Sequence, residues 1–462
     1  MVVQWWSIIP FVAMLLSIAI LPLVPATAHH WAHPRNQLVL ALVLGLPVAA
    51  WFVLGGDGAS VVHALVEYAQ FITLLLALFV VSGGIFLAGD LRATPRINTT
   101  FLAAGAVIAS FIGTTGAAML LIRPILNTNA ERKRKAHTVI FTILIVANCG
   151  GVLTPLGDPP LFLGFLRGVP FDWTLRLLPE WLFVNALLLL AYYALDWREL
   201  NRVAPGDRRA DETRVVTLGV HGKRHFVFLA AVVGAVAFLP SIDLHAIEEG
   251  HAGLAAWLPL REIVMLAAAG ASLATGDRRT RYVDNEFTWE PILEVAALFI
   301  GIFLTMIPAL KYLAQVAPGL PLNDVTFFVF TGGLSAVLDN APTYLTFFEM
   351  AAQLPGDPRV AGVPESYLVA ISLGAVFCGA ITYIGNGPNF MVKSVAEKAG
   401  VAMPSFGGYV VWTARYLVPV LVAMVLIFIA SGPLTTALGV ALAAGLVARS
   451  VWGLRREVTS SG

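Results

Sequence analysis

Two acids stand inside apolar sequence where acids are rare. Asp158 follows Gly157 and precedes Pro159-Pro160, and Asp339 opens Asp339-Asn340-Ala341-Pro342-Thr343. A carboxylate at bilayer depth costs about 2.5–3.5 kcal/mol on insertion scales, so such acids are functional by default. Such a group can hold a proton or a cation, never both, which is the chemistry of ion exchange. Around them Thr154, Thr382, Asn386 and Asn389 offer hydroxyl and amide oxygens, and hard cations such as Na⁺ take about six oxygens of this kind. Thr114 and Thr115 stand where Asp339 and Asn340 stand in the other half of the chain. Plainer roles compete: Asp158 suits a helix N-cap or Asx-turn, and a membrane Thr or Asn often serves helix packing.

The elements that must position these residues are unusual. Gly151-Val-Leu-Thr154-Pro-Leu-Gly157-Asp158-Pro-Pro160-Leu-Phe162 is matched by Gly379-Ala-Ile-Thr382-Tyr-Ile-Gly385-Asn386-Gly-Pro388-Asn-Phe390. Gly, Thr, Gly, Pro and Phe recur in one register. Non-helical backbone at membrane depth is tolerated only where protein buries it or a polar cavity meets it. A repeated broken segment in two halves of a chain is the sequence mark of a transporter's substrate site.

Composition agrees. The 462 residues are 58% hydrophobic and 12% charged, against about 25% charged in soluble domains. A mean hydropathy of +0.81 makes this a polytopic membrane protein, and the net charge of +1 gives no sign of nucleic-acid binding. The all-α fold expected has about eleven transmembrane helices plus two re-entrant hairpins. The crossings fall near 6–24, 37–55, 69–88, 138–168 (broken), 174–196, 225–241, 261–276, 291–313, 367–396 (broken), 409–430 and 432–449. The hairpins are 99–126, split at Gly113-Thr-Thr-Gly, and 326–352, split at Asp339, with arms read as too short to cross. No Lys or Arg precedes Arg35, so residues 1–36 read as a retained first helix and loop rather than a secretory signal.

Basic residues fix an expected orientation. Arg92 and Arg96 precede the first hairpin and Arg132-Lys133-Arg134-Lys135 follow it, so both flanks read as cytoplasmic. Continuing the count puts the linker with Arg198, Arg202, Arg208, Arg209 and Arg214 inside, and Asp243, Glu248 and Glu249 outside. Arg278, Arg279, Arg281, Arg449, Arg455 and Arg456 fall inside, so the C-terminus is cytoplasmic. The halves 37–196 and 261–430 are then inverted repeats, joined by 197–260 and followed by 431–462. Thr213–Val220 reads as a small β-ribbon.

Other candidates are weaker. Glu294 and Glu67 suit an interfacial position or a proton relay. Arg123 and Lys393 suit snorkelling or neutralising an anion. Most of the nine histidines lie in loops without ligand spacing, and Cys149 and Cys378 read as small apolar filler. A zinc His-Glu-x-x-His, a Walker A loop and a Gly-x-Ser-x-Gly elbow are missing, so no enzyme and no cofactor is expected.

The paired hairpins, the paired breaks and Thr-Pro-Leu-Gly-Asp-Pro-Pro resemble the ion transporter superfamily. That group includes NhaD-type sodium:proton antiporters, arsenite permeases, citrate–metal symporters and dicarboxylate transporters. The Ser-Asn-Thr signatures of the dicarboxylate branch are replaced here by Gly113-Thr-Thr-Gly and Leu338-Asp-Asn-Ala. The resemblance implies an elevator-type secondary carrier of the inner (plasma) membrane, commonly a homodimer, with hairpins and broken helices as the moving part. Sodium:proton antiport is the leading expectation. A citrate or metal–citrate symporter is the alternative, followed by an arsenite or other anion permease and a passive channel.

The charge reading has a direct check. Cysteines placed at Arg96 and Lys133 are both expected to escape an impermeant periplasmic thiol reagent. Labelling of one alone would turn the first hairpin into a plain span.

Overall fold

The computed structural model describes residues 3–22, 24–31, 33–203, 206, 211, 216–244, 247 and 253–460, with side chains up to 454. Arg208, Arg209, Arg214, Glu248 and Glu249 of the charge reading lie outside those residues, as do the side chains of Arg455 and Arg456. The chain is helical almost throughout, an all-α polytopic membrane protein. Among the described residues, seven helices are long and apolar enough to cross a membrane, or eight if the bent pair in 5–31 is one span. Six of them, with the bent pair, match seven of the eleven crossings read from sequence. The other four fall short as single helices: the two broken segments, His225–Phe238 and Leu260–Thr275.

The seventh is a correction. The first hairpin arm runs from Pro95 to Ile112, 18 residues rather than the short arm expected. At 1.5 Å per residue that is about 27 Å, close to the ~30 Å thickness of the hydrocarbon. Its start is fixed by Thr94, whose side chain accepts from the Ile97 amide, and by Pro95 at the first helical position. The first arm of the other hairpin, Asp324–Ser335, has 12 residues and opens with a reciprocal capping box between Asn323 and Thr326.

A second correction concerns the crossing near 69–88. The helix spans Gly58–Ser82 and stops at Gly83-Gly84, and Phe86–Asp90 is a strand. It forms a two-stranded sheet with Val216–His221, so the ribbon expected in the linker exists with a partner from elsewhere in the chain.

The chain divides into two units. One comprises 1–86, 222–321 and 345–357. Its centre is the Glu290–Val316 helix packed on Pro34–Leu54 and Gly58–Ser82. Val48, Phe52, Val61, Ala64, Leu304 and Ile307 form one of its apolar clusters. Lipid tails are as apolar as leucine, so membrane helices gain little from hydrophobicity and approach each other through small residues. Ala41, Gly45 and Gly301 do this here, since a β-carbon on Gly301 would lie 2.7 Å from the Ala41 backbone.

The other unit comprises 87–221, 322–344 and 358–462 and holds both broken segments. Its Leu178–Asn201 helix packs on Pro433–Ser460, and Asp324–Ser335 packs on Glu365–Cys378. Arg132, read from sequence as part of a basic loop, is buried within it. Its guanidinium lies 2.5 Å from Asp196, which also bonds His137 at 2.8 Å and Asn98 at 3.1 Å. A buried ion pair needs such added hydrogen bonds to offset its desolvation.

Overpacking a tight helix contact costs typically 1–3 kcal/mol. Gly301→Leu is expected to lower the melting midpoint of the detergent-solubilised protein, whereas Gly333→Leu, where a β-carbon meets open space, is expected to leave it unchanged.

Candidate functional site

The first broken segment leaves helical geometry at Asn148 and resumes with Pro159–Leu166. The second leaves it at Thr382 and resumes with Gly387–Lys398. Backbone carbonyls freed inside a membrane protein must find donors within it. The helix after each break supplies them from equivalent positions. Trp181 Nε1 donates to Gly150 O at 3.1 Å, and Asn185 Nδ2 donates to Cys149 O at 3.2 Å. Tyr409 and Thr413, one repeat later in the same register, donate to Ala380 O and Ile381 O, both at 2.9 Å. Sequence reasoning missed all four because the repeat keeps the donor and changes the residue type.

Thr154 and Thr382 tie each break to its own hairpin. The Thr154 hydroxyl bonds Ser110 O, and the Thr382 hydroxyl bonds Ala336 O at 2.5 Å. Gly157 and Gly385 leave no place for a β-carbon. Neither has positive φ, and the constraint is space instead. A β-carbon on Gly157 would overlap Gly151 O, and one on Gly385 would lie 2.6 Å from Gly379 O and Ser335 O. Positive φ falls on Gly113, at the tip of the first hairpin, where φ is +82°.

At the centre lies Asp158, 1% exposed. It holds the N-cap position of Pro159–Leu166, with φ −144° and ψ 144°, but its side chain makes no capping bond. The carboxylate reaches across instead. Oδ1 accepts from Thr114 Oγ1 at 2.8 Å and from Asn386 Nδ2 at 3.3 Å, and Oδ2 accepts from Asn340 Nδ2 at 2.5 Å. Every one of these donors is neutral. Asn386 occupies the equivalent N-cap of the second break with nearly the same backbone angles, −153° and 137°, and it too makes no cap. Asn148, unflagged in the sequence, links the breaks: its Nδ2 donates to Asn389 Oδ1 at 2.6 Å and its Oδ1 accepts from Asn386 at 3.2 Å. Asn389 in turn donates to Gly379 O and Thr382 O.

The other candidates make no hydrogen bond to the Asp158 carboxylate among the described residues. Asp339 is half-buried, and its Oδ1 accepts from the Ala341 amide at 3.0 Å, so the acid that caps a helix is Asp339. Thr115 makes no side-chain hydrogen bond among the described residues. Lys393 pairs with Glu397 at 2.8 Å. Glu294 belongs to the other unit, where it accepts from Gln37 at 2.8 Å. The buried Asn340 Oδ1, beside the Asp158 carboxylate, has no partner among the described residues.

The family model described as "Putative citrate transport" matches residues 1–429, and the chain belongs to that family. An uncharacterized transporter of Mycobacterium tuberculosis is 26% identical over 326 residues, 68% of this chain and 73% of its own. A 46 kDa membrane protein of Mycobacterium leprae is 25% identical over 300 residues, 61% of this chain and 65% of its own. The protein is a transporter, not an enzyme.

Gly157→Ala and Gly385→Ala test the packing of the breaks. Each adds a β-carbon against backbone oxygen, and each is expected to lower the melting midpoint and impair transport without preventing membrane insertion. Parental stability and transport in both would show that the breaks have room to spare.

Proposed function

We propose that the chain is an ion-coupled secondary carrier working by alternating access, a sodium:proton antiporter in which Asp158 is neutralised by either ion. The observation that carries this reading is a buried carboxylate met, among the described residues, only by neutral donors drawn from both repeats. A fixed Arg or Lys partner would hold the charge permanently and leave nothing to exchange. Neutral amides can turn. Asn340 now gives its NH₂ to Asp158, and rotation of that amide would present its unpartnered Oδ1 to a cation instead. With the hydroxyl of Thr114 and the amide oxygen of Asn386, these are ligands of the hard-oxygen kind that Na⁺ takes. The proton-loaded carboxyl would leave no charge for Na⁺, so each ion displaces the other.

The family description favours a second reading, symport of citrate with a metal ion. A free multivalent anion would meet the Asp158 charge with no cationic side chain bonded to that carboxylate among the described residues. A metal–citrate complex would bring its own cation to the carboxylate.

Transport in everted membrane vesicles with a pH probe tests both readings. Addition of Na⁺ or Li⁺ is expected to dissipate a preformed proton gradient. Asp158→Asn, which keeps the shape and loses the charge, is expected to abolish this at normal protein levels. Asp339→Asn, which keeps a capping oxygen, is expected to retain most activity. Proton movement with Mg²⁺ and citrate but with neither Na⁺ nor Li⁺ would replace the antiporter with the symporter.

A further inference from the structure

Three arginines outside the Asp158 cluster converge on one groove. Arg198 ends the Leu178–Asn201 helix, Arg415 lies at the end of Phe406–Tyr416, and Arg449 lies in Pro433–Ser460. The guanidinium carbons of Arg415 and Arg449 stand 5.7 Å and 5.4 Å from the centroid of the Tyr416 ring. That ring is itself stacked on Trp412 and met edge-on by Phe141, so it is a fixed platform. Arg198 lies against the last helix at Gly453, where a β-carbon would overlap its guanidinium.

None of the three has an acid partner among the described residues. Glu199, next in sequence to Arg198, is taken by Arg202 at 2.7 Å and approached by Arg134 at 3.8 Å. Three like charges gathered round one groove repel each other, and an anion between them would remove that cost. Apart from Ser450 and the Tyr416 ring, the rest of the groove is aliphatic, with Leu187, Leu195 and Leu446 in its lining. Leu187 precedes Arg198 by about 16 Å of helix, three turns deeper into the apolar span. Apolar walls leading up to planar cations match a lipid: acyl chain along the leucines, phosphate at the guanidinium forks. The basic-residue count also expects Arg198 and Arg449 at the cytoplasmic membrane face, and Arg415 shares their groove. Basic pockets between transmembrane helices on that side suit anionic headgroups.

We propose that Arg198, Arg415 and Arg449 form a binding site for the phosphate of an anionic phospholipid headgroup. The site lies among the helices that flank the broken segments and involves no residue bonded to Asp158, so it stands or falls independently of the transported ion.

The test uses the full-length protein in detergent, with native mass spectrometry to count bound lipid and thermal melting to read stabilisation. Dioleoylphosphatidylglycerol is expected to bind and raise the melting midpoint, with at least ten-fold preference over dioleoylphosphatidylcholine. Inorganic phosphate at the same concentration is expected to do neither. Arg415→Gln with Arg449→Gln should weaken phosphatidylglycerol binding roughly ten- to thirty-fold, the loss of two interfacial cations. Gly453→Leu keeps every charge and displaces only Arg198, and it should weaken binding about five-fold. Equal binding of the two lipids, or unchanged phosphatidylglycerol binding in both variants, overturns the site. A response to inorganic phosphate equal to that of the lipid overturns the lipid as its ligand.

Discussion

Backbone that leaves helical geometry where no water can reach must be hydrogen-bonded by protein, and this constraint organises the unit that holds both breaks. The carbonyls at 149, 150, 380 and 381 are held by four side chains from the helices that follow. Those helices must therefore lie against the breaks, at fixed height and with a fixed face turned inward. The hairpin tips are bound by the same need. Ser110 O and Ala336 O receive the hydroxyls of Thr154 and Thr382, while the Thr114 amide donates to Gly157 O at 2.8 Å. The Asp158 carboxylate is embedded in a structure that already exists to satisfy peptide groups. A site built on broken helices acquires its rigidity in this way.

Much of this was legible in the residues. Glycines and prolines interrupting apolar sequence in two matching registers locate both breaks, and an acid beside one of them locates the centre of the site. The hairpin tips were harder. Composition singles out Asp339 as the more conspicuous residue, yet its neighbour Asn340 reaches Asp158 while Asp339 turns back onto its own helix. Which of two adjacent polar residues points inward depends on where the helix begins, a matter of one residue that no periodicity records. Trp181 and Tyr409 escaped notice for another reason: an aromatic in a membrane helix carries no mark of the carbonyl it serves.

One charged residue has a role that only burial reveals. Arg132 counts as one of four consecutive bases, but it is enclosed with Asp196, His137 and Asn98. The Phe86–Asp90 strand was taken for the end of a helix because its first residues are apolar and its partner lies more than a hundred residues away. Long-range pairing of that kind has no local signal.

The three donors on Asp158 come from three separately tethered pieces of chain: the tip of one hairpin, the start of the other hairpin's second arm, and the second break. One negative charge thus does the work of three fastenings. By linkage, any event that cancels the charge weakens all three together, and any movement that pulls the three apart makes cancelling it easier. Charge state and local order are two readings of a single free energy. A carrier with this arrangement has no need of a separate sensor to know whether it is loaded.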